Sequence, residues 1–284
     1  MPFRAGIAGC RENRMKPKVG IGITTYEDIR SINYGLSFYD ALVASSPRLV
    51  PYRIHVIGEK YDVDNAQDFA LHWRSERRLV IQPKYGIAAT YHEPVDIGAD
   101  WRTRGALSGN GQVCFSGRDP HGDSTLTLQH NYAANVDWRG LFVQLIDLMK
   151  PAHANLHIFT ERELELAGEG RFAFRAPVAG EACFVAWKSS LGDWRLPDPW
   201  EVAERRRYRF LPSLAWGNYL GDEFSGRFDR NLVIDRSSAP TELNNGLLFQ
   251  VTENLSDVIN RPIFFESERE NIQGAFANDF FRSD

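Results

Sequence analysis

Cysteine is scarce in this sequence, with three residues among 284: Cys10, Cys114 and Cys183. Three widely spaced thiols form neither a disulfide framework nor the paired spacing of a zinc site. This pattern is typical of a reducing compartment, so we expect a cytoplasmic protein that holds no metal or other cofactor. A chain of this length buries roughly 75% of its unfolded surface and needs no disulfide or metal to fold.

Long apolar runs are also missing. No stretch reaches the ~20 apolar residues that a membrane-spanning helix needs, so we expect no membrane partner. The sequence Ile7-Ala8-Gly9-Cys10 resembles a lipoprotein cleavage site. However, the ~7–15 apolar residues that precede such a site in a secretory signal have no room here. We therefore interpret residues 1–17 as a mobile leader, with a lipid anchor as the alternative.

Neither sign of charge dominates the chain, whose net charge is −4. This balance disfavours direct binding of nucleic acid. From Glu253 to Asp284, three arginines oppose seven acids, and 3 − 7 = −4, so this segment holds the whole excess. A solvated helix face is the ordinary explanation, and a surface that attracts a basic partner is the specific one. The acids are Glu253, Asp257, Glu266, Glu268, Glu270, Asp279 and Asp284.

Catalytic motifs are absent as well. The sequence has no phosphate-binding loop, nucleophile elbow or Cys-x-x-Cys pair, and Gly20-Ile21-Gly22 lacks the third glycine of a dinucleotide fingerprint. We therefore expect no enzymatic activity and no catalytic residues.

Two groups of residues leave a metal site as an alternative. His153 and His157 lie four apart on a predicted strand and would need a third ligand, so structural histidines are favoured. Asp119, His121 and Asp123 accompany Pro120 and Gly122, where a surface turn also favours such residues. A metal-dependent hydrolase built on this second group is the rival interpretation from another functional class.

The apolar spacing predicts an α+β fold, with a largely antiparallel sheet and helices packed on it. The clearest helix is Trp138–Lys150, which follows the helical period and which Asp137 is placed to cap. The pair Asn110-Gly111 predicts a tight hairpin turn, because it tolerates positive φ. The irregular order of helices and strands disfavours a doubly wound parallel sheet. The other predicted strands that matter below are Val19–Thr25, Tyr52–Ile57, Ser124–His130, Asn155–Phe159, Asn231–Asp235 and Gly246–Thr252, and the other predicted helices are Leu36–Leu42, Asp64–Arg77 and one through Ile272, Phe276 and Phe280.

We expect residues 18–284 to form one α+β domain. Two sub-lobes divided near residues 95–105 are the alternative. Trp216 lies in a region rich in glycine, proline and tryptophan, and burial at a sheet edge is favoured over exposure as a binding anchor.

Two segments of the C-terminal third are distinctive. Residues 214–224 read LAWGNYLGDEF and follow Gly192-Asp193-Trp194, and residues 245–253 read NGLLFQVTE. The first is similar to the Trp-x-x-(Tyr/Phe)-Leu-Gly segment of the immunity protein 52 family, and the second to that family's closing strand. The helix around Leu36–Leu42 also resembles its opening helix. The resemblance spans most of residues 30–260.

Members of that family are antidotes encoded beside polymorphic or type VI secreted toxins, often restriction-endonuclease-like nucleases. The resemblance therefore implies a cytoplasmic protein that binds and silences a toxin without catalysis of its own. A structural accessory of a secretion apparatus is a further alternative. The resemblance implies fold-keeping roles for the matched Trp216, Tyr219, Leu220 and Gly246. Asp222 and Glu223 beside the motif, and Glu266, Glu268 and Glu270 in the acidic segment, are the predicted toxin-binding residues.

Overall fold

A ten-stranded antiparallel sheet is the main element of the computed structural model. The structure describes residues 16–56, 59–77, 80–81, 89–90, 95–115, 124–159, 211, 213–278 and 280–281. The predicted leader up to residue 15, the Asp119, His121 and Asp123 group, and Gly192-Asp193-Trp194 lie outside these described residues.

The elements alternate irregularly along the chain. The strands are β1 (Lys18–Thr25), β2 (Arg53–Val56), β3 (Glu59–Asp62), β4 (Ser75–Arg77), β5 (Val80–Ile81), β6 (Ala89–Thr90), β7 (Val95–Ile97), β8 (Asp100–Thr103), β9 (Gly109–Cys114), β10 (Ser124–Asn131), β11 (His153–Phe159), β12 (Gly217–Leu220), β13 (Ser238–Leu243) and β14 (Gly246–Gln250). The helices are α1 (Ile32–Ser45), α2 (Ala66–Leu71), α3 (Trp138–Met149), α4 (Arg230–Arg236), α5 (Asp257–Asn260) and α6 (Pro262–Gln273), with 3-10 turns at Pro47–Leu49, Gly105–Leu107 and Asp222–Phe224.

The strand order in the large sheet is β13-β14-β12-β11-β1-β10-β9-β8-β2-β3. Two separate two-stranded sheets pair β4 with β7 and β5 with β6. The predicted α+β class with a largely antiparallel sheet is confirmed.

Helices cover both faces of the central strands. Every residue of β11 is buried, and alternate residues of a strand point to opposite faces. On one face, a Cβ added at Gly217 would lie 3.5 Å from Leu156 of β11 and 3.4 Å from Phe142 of α3. On the other face, the His157 ring lies 5.7 Å from the Phe265 ring of α6. On β11, Ala154, Leu156 and Ile158 therefore lie on the α3 side, and His153, Asn155, His157 and Phe159 lie on the α6 side.

Helix α3 follows its predicted pattern. Asp137 accepts a hydrogen bond from the Gly140 backbone N–H at 2.8 Å and so satisfies one of the unpaired amides of the first turn. The helix ends at Lys150, which takes a left-handed conformation with φ of 43°. The predicted core residues Trp138, Leu141, Phe142, Leu145, Ile146 and Met149 are all buried.

The hairpin turn predicted at Asn110-Gly111 is wrong. Both residues lie inside β9, where Gly111 pairs with Leu128 on one side and with Trp101 on the other. A Cβ added at Gly111 would lie 2.3 Å from Cζ2 of Trp101, so this glycine permits the indole to lie against the strand. The chain turns instead at the preceding 3-10 segment, where Gly105 has φ of 81°.

Three further predictions about elements are corrected. Asn231–Asp235 is helical, because Asp229 accepts a hydrogen bond from the Leu232 N–H at 3.0 Å and caps α4. Helix α2 is shorter than Asp64–Arg77, although Phe69 and Trp73 are both buried as expected. The C-terminal helix ends at Gln273, so Phe276 and Phe280 lie beyond it.

None of the helices among the described residues is both long and apolar enough to span a bilayer. Strand β8, which falls within residues 95–105, pairs with β2 and β9 in the large sheet. The division of the chain into domains stays a prediction.

Candidate functional site

The two distinctive C-terminal segments lie side by side in the sheet. Strand β12 pairs antiparallel with β14, so that Tyr219 is opposite Leu248 and Leu220 is opposite Leu247. Trp216 precedes β12, and its backbone N–H donates to Nδ1 of His157 at 3.1 Å. Its carbonyl oxygen accepts from the Val251 N–H at 2.8 Å. Trp216 is 2% exposed, so its predicted burial is confirmed.

Tyr219 joins these segments to a two-residue hairpin turn. Asn244 and Asn245 connect β13 to β14 with φ of 48° and 64°, and positive φ at both central residues defines a type I′ turn. The Tyr219 hydroxyl lies 3.0 Å from the Leu243 carbonyl oxygen and 3.1 Å from that of Asn244, so it donates to the turn. Sequence reasoning missed this turn, although Asn244-Asn245-Gly246 carries the composition of one.

Gly246 completes the contact. A Cβ added there would lie 2.4 Å from both Cζ and Oη of Tyr219 and 2.6 Å from the Leu220 carbonyl oxygen. Only a residue without a side chain fits under the tyrosine ring. The four predicted fold-keeping residues are all buried: Trp216, Tyr219, Leu220 and Gly246.

Asp222 and Glu223 follow β12 on a 3-10 turn beside this tyrosine. Burial raises the pKa of the Tyr219 hydroxyl to about 12, and the carboxylates of Glu223 and Asp222 contribute to the shift. The hydroxyl is therefore protonated at neutral pH, as a donor to the hairpin turn must be. Asp222 is exposed and Glu223 is half-buried.

The other three predicted toxin-binding residues lie on α6, which packs on the face of the sheet that carries His157. Tyr219 pairs with Ala154, and Ala154 and His157 point to opposite faces of β11 because they are three residues apart. The 3-10 turn that carries Asp222 and Glu223 also reaches the His157 face, because the ring of its Phe224 lies 6.2 Å from the ring of His153. Asp222 and Glu223 form one group, and Glu266, Glu268 and Glu270 form the other.

Glu266 differs from its two neighbours in its surroundings. Its carboxylate bonds the guanidinium of Arg269, one turn later, and the Arg269 side chain is 2% exposed. The Arg269 guanidinium also lies 5.5 Å from the centre of the Phe265 ring. Glu266 therefore balances a buried cation, whereas Glu270 is exposed and Glu268 is half-exposed.

Sequence reasoning also missed two apolar residues at the start of α6. Ile263 is 85% exposed and Phe264 is 37% exposed, while the buried face of the helix consists of Phe265, Arg269 and Ile272. The guanidinium of Arg261 stacks 4.0 Å from the centre of the Phe264 ring. Their spacing relative to Phe265 is the signal that would have placed them on the outer side, since the core-facing positions of a helix recur every three or four residues.

The histidine pair does not form a metal site. His153 and His157 point to the same face of β11, but four residues along a strand span about 13 Å, and zinc–nitrogen bonds are ~2 Å long. His157 is engaged by the Trp216 N–H, and burial lowers the pKa of His153 to about 4. Among the residues that the structure describes, no group of three or more His, Cys, Asp or Glu side chains is placed to hold a metal ion.

Comparison with known proteins gives no family assignment. No family model and no curated protein matches the sequence. Among solved structures, the chain is similar to the Pseudomonas aeruginosa T6SS protein PA0821, with 13% sequence identity and a TM-score of 0.46. The likeness covers 90% of this chain and 76% of that chain. Membership of the immunity protein 52 family stays a prediction.

Proposed function

We propose that the protein is an immunity protein that binds and neutralises a toxin encoded beside it. The toxin is a secreted nuclease of the restriction-endonuclease-like kind, delivered by a type VI secretion or polymorphic toxin system. The protein acts in the cytoplasm as a protein ligand, without catalysis of its own and without direct contact with nucleic acid.

The observation that carries this proposal is the contact of Tyr219 with the hairpin at Asn244, Asn245 and Gly246. The two segments that resemble the immunity protein 52 family are separated in sequence, yet they are paired strands in the structure. The tyrosine of one segment bonds the turn that precedes the other, and its ring requires the glycine of the other. The resembling residues thus have a physical reason to occur together, which supports a shared fold and, through it, a shared role.

The charge on α6 is consistent with this partner. A nuclease carries lysine and arginine to hold phosphates, and the acids of α6 complement such a surface. Electrostatic attraction of this kind mainly raises the rate of association.

Growth of bacteria that express the adjacent toxin gene tests the proposal. Cells that also express this chain should grow, whereas cells with an empty vector should stop growing. A catalytically inactive toxin is the control for damage caused by expression alone. Equal killing with and without this chain would refute the proposed function.

A further inference from the structure

Three arginines gather near the β3 end of the large sheet. Arg53 of β2 and Arg102 of β8 lie directly opposite each other on neighbouring strands. Arg104 follows β8, and its guanidinium lies 5.3 Å from the centre of the Tyr52 ring, which the Arg53 guanidinium approaches to 5.5 Å. Like charges directly opposite each other in a sheet are destabilising, so the pairing of the strands does not by itself explain this arrangement. We call Arg53, Arg102 and Arg104 the arginine cluster.

Arg102 and Arg104 carry the free charge of this cluster. Arg53 is paired, because its Nε and Nη2 donate to Oδ1 of Asp62 at 3.0 and 2.9 Å. Within the described ranges of the chain, no carboxylate forms an ion pair with Arg102 or Arg104, and both residues are exposed. The cluster therefore presents two unpaired guanidinium groups to solvent.

The next carboxylate along β8 does not cancel this charge. Asp100 lies two residues before Arg102, and its carboxylate is 3.5 Å from Nδ1 of His55 on β2. Lys60, an exposed residue of β3, is opposite that histidine. With His55 neutral, four cations thus accompany two carboxylates, a net charge of +2 (4 − 2): Arg53, Lys60, Arg102 and Arg104 against Asp62 and Asp100.

Exposed arginines of this kind are suited to bind carboxylates or phosphates. The planar guanidinium donates two parallel hydrogen bonds to either group. Because the Tyr52 ring limits the motion of Arg104 before binding, less side-chain entropy is lost when a partner pairs with it. The ligand of the arginine cluster is therefore a surface that carries anions.

The acids of α6 favour a protein over nucleic acid as that ligand. Residues directly opposite each other share a face of the sheet, and one such row runs from the arginine cluster to the strand under α6: Arg53, Arg102, Asn110, Gln129, Gly20 and His157. The cluster and α6 therefore lie on the same face, four or five strand spacings or roughly 19–24 Å apart. The chain also carries a net charge of −4. A phosphate backbone is repelled by such a chain, whereas a protein surface with charges of both signs matches this face.

Resting on the proposed function, we infer that the arginine cluster binds the carboxylates of the toxin's catalytic centre. Nucleases hold divalent metal ions at this centre, and carboxylates are the protein ligands of such ions, so the centre is acidic. Arg102 and Arg104 pair with these carboxylates, and the acids of α6 meet the lysines and arginines that hold phosphates nearby. The chain thereby inhibits the toxin by occluding its catalytic centre.

The test measures the affinity of the purified chain for the purified toxin encoded beside it. EDTA keeps the toxin inactive and leaves its catalytic carboxylates intact. Arg102→Glu and Arg104→Glu reverse the free charges of the cluster. Arg139→Glu is the matched control, because Arg139 is exposed on α3, which covers the opposite face of the sheet. We expect Kd to rise at least ~10-fold for each cluster variant, with Arg139→Glu binding like the parent chain.

Divalent metal supplies a second readout. When Mg²⁺ replaces EDTA, binding of the parent chain should weaken, because the metal ions and the arginines compete for the same carboxylates. Arg102→Glu should be less sensitive to Mg²⁺. An affinity of the parent chain that does not change with Mg²⁺ would contradict the assignment to the catalytic centre.

The outcomes separate the two proposals. If the parent chain binds the toxin and both cluster variants bind equally well, the arginine cluster is not the interface and the proposed function stands. If the parent chain does not bind the toxin at all, both proposals fail. Arg102→Gln replaces any variant whose denaturant midpoint falls below that of the parent. Mixing the chain alone with duplex DNA is the remaining check, because binding that Arg102→Glu abolishes would make the cluster a nucleic-acid surface and overturn the inference.

Discussion

Replacing Gly246 with alanine should destabilise the protein, because the new Cβ would overlap the Tyr219 ring. The added atom would lie 2.4 Å from Cζ and Oη of Tyr219 and 2.6 Å from the Leu220 carbonyl oxygen. Real Cβ atoms essentially never approach other atoms within 3.0 Å, so the ring or the strand must move. Forced overpacking of this kind costs about 1–3 kcal/mol of unfolding free energy.

Movement of the ring carries a second cost. The Tyr219 hydroxyl donates to the turn carbonyls of Leu243 and Asn244 at 3.0 and 3.1 Å. Losing such a bond costs roughly 0.5–1.5 kcal/mol. We therefore expect Gly246→Ala to lower the free energy of unfolding by about 2–4 kcal/mol in total.

Equilibrium unfolding in guanidinium chloride measures this loss, and Gly217→Ala is the matched control. Gly217 lies on the paired strand β12, where the nearest atom to an added Cβ is 3.4 Å away, so that substitution should be much milder. Leucine lacks the Cζ and Oη atoms, so Gly246→Ala should cost at least ~0.5 kcal/mol less in a Tyr219→Leu background. An equal cost in both backgrounds would refute the claim that the tyrosine ring requires the glycine.

Three further predictions concern the core, the acids and the buried histidines. Trp216→Ala should lower the free energy of unfolding by about 3–5 kcal/mol, because it leaves a cavity in the core. The midpoint of denaturant unfolding measures this loss. A variant that unfolds like the parent chain yet fails to bind would make Trp216 a binding anchor instead. The double change Glu268→Gln and Glu270→Gln should slow association with the toxin several-fold at low salt. Most of this effect should disappear at high salt, because the Debye length is only ~3 Å at 1 M. Stopped-flow mixing across a salt series measures the association rate, and an unchanged rate at low salt would assign these acids to a solvated helix face. Burial lowers the pKa of both His130 and His153 to about 4. Between pH 6.5 and 4, each histidine stays neutral in the folded chain but takes up a proton in the unfolded chain. The free energy of unfolding should therefore fall by about 1.4 kcal/mol per pH unit for each histidine as pH drops through this range. A denaturant midpoint that does not change across this range would contradict the burial of these histidines.

The sequence correctly predicts the helices and strands whose conformation depends on residues close to one another in the chain. Strand β1 carries Val19, Ile21 and Ile23 at every second position and is buried from Val19 to Thr25, and α3 combines a clear apolar period with the Asp137 cap. The burial of Trp216 was predicted from the glycine, proline and tryptophan residues around it. For these elements, the residues nearby in sequence are enough to specify the structure.

Contacts between distant residues decided the predictions that failed. Gly111 lies within β9 because this segment pairs with β8 and β10, and the Trp101 ring occupies the space that a side chain would take, a contact that no local pattern reveals. Asn231–Asp235 is predicted as a strand, but the Asp229 cap and the bond from Arg236 to the Asn271 carbonyl hold these residues as a helix. Phe276 lies beyond the helix and stacks on Phe228 at 5.3 Å.

The residues of the candidate site were also predicted only in part, because some of their properties depend on distant contacts. Sequence placed the acids of α6 in a charged segment, but it gave no means to tell Glu266 from Glu268 and Glu270. That difference depends on the burial of Arg269, which only the packing of α6 on the sheet determines. The exposed Ile263 was likewise invisible until the buried face of the helix was known.

Direct inhibition of the toxin is the measurement closest to the central claim. The purified chain is titrated into a fixed amount of the purified toxin encoded beside it, and cleavage of plasmid DNA is followed. The proposal predicts that nuclease activity falls in proportion to the chain added and reaches zero at saturation. Cleavage that continues undiminished in a large excess of the parent chain would contradict it.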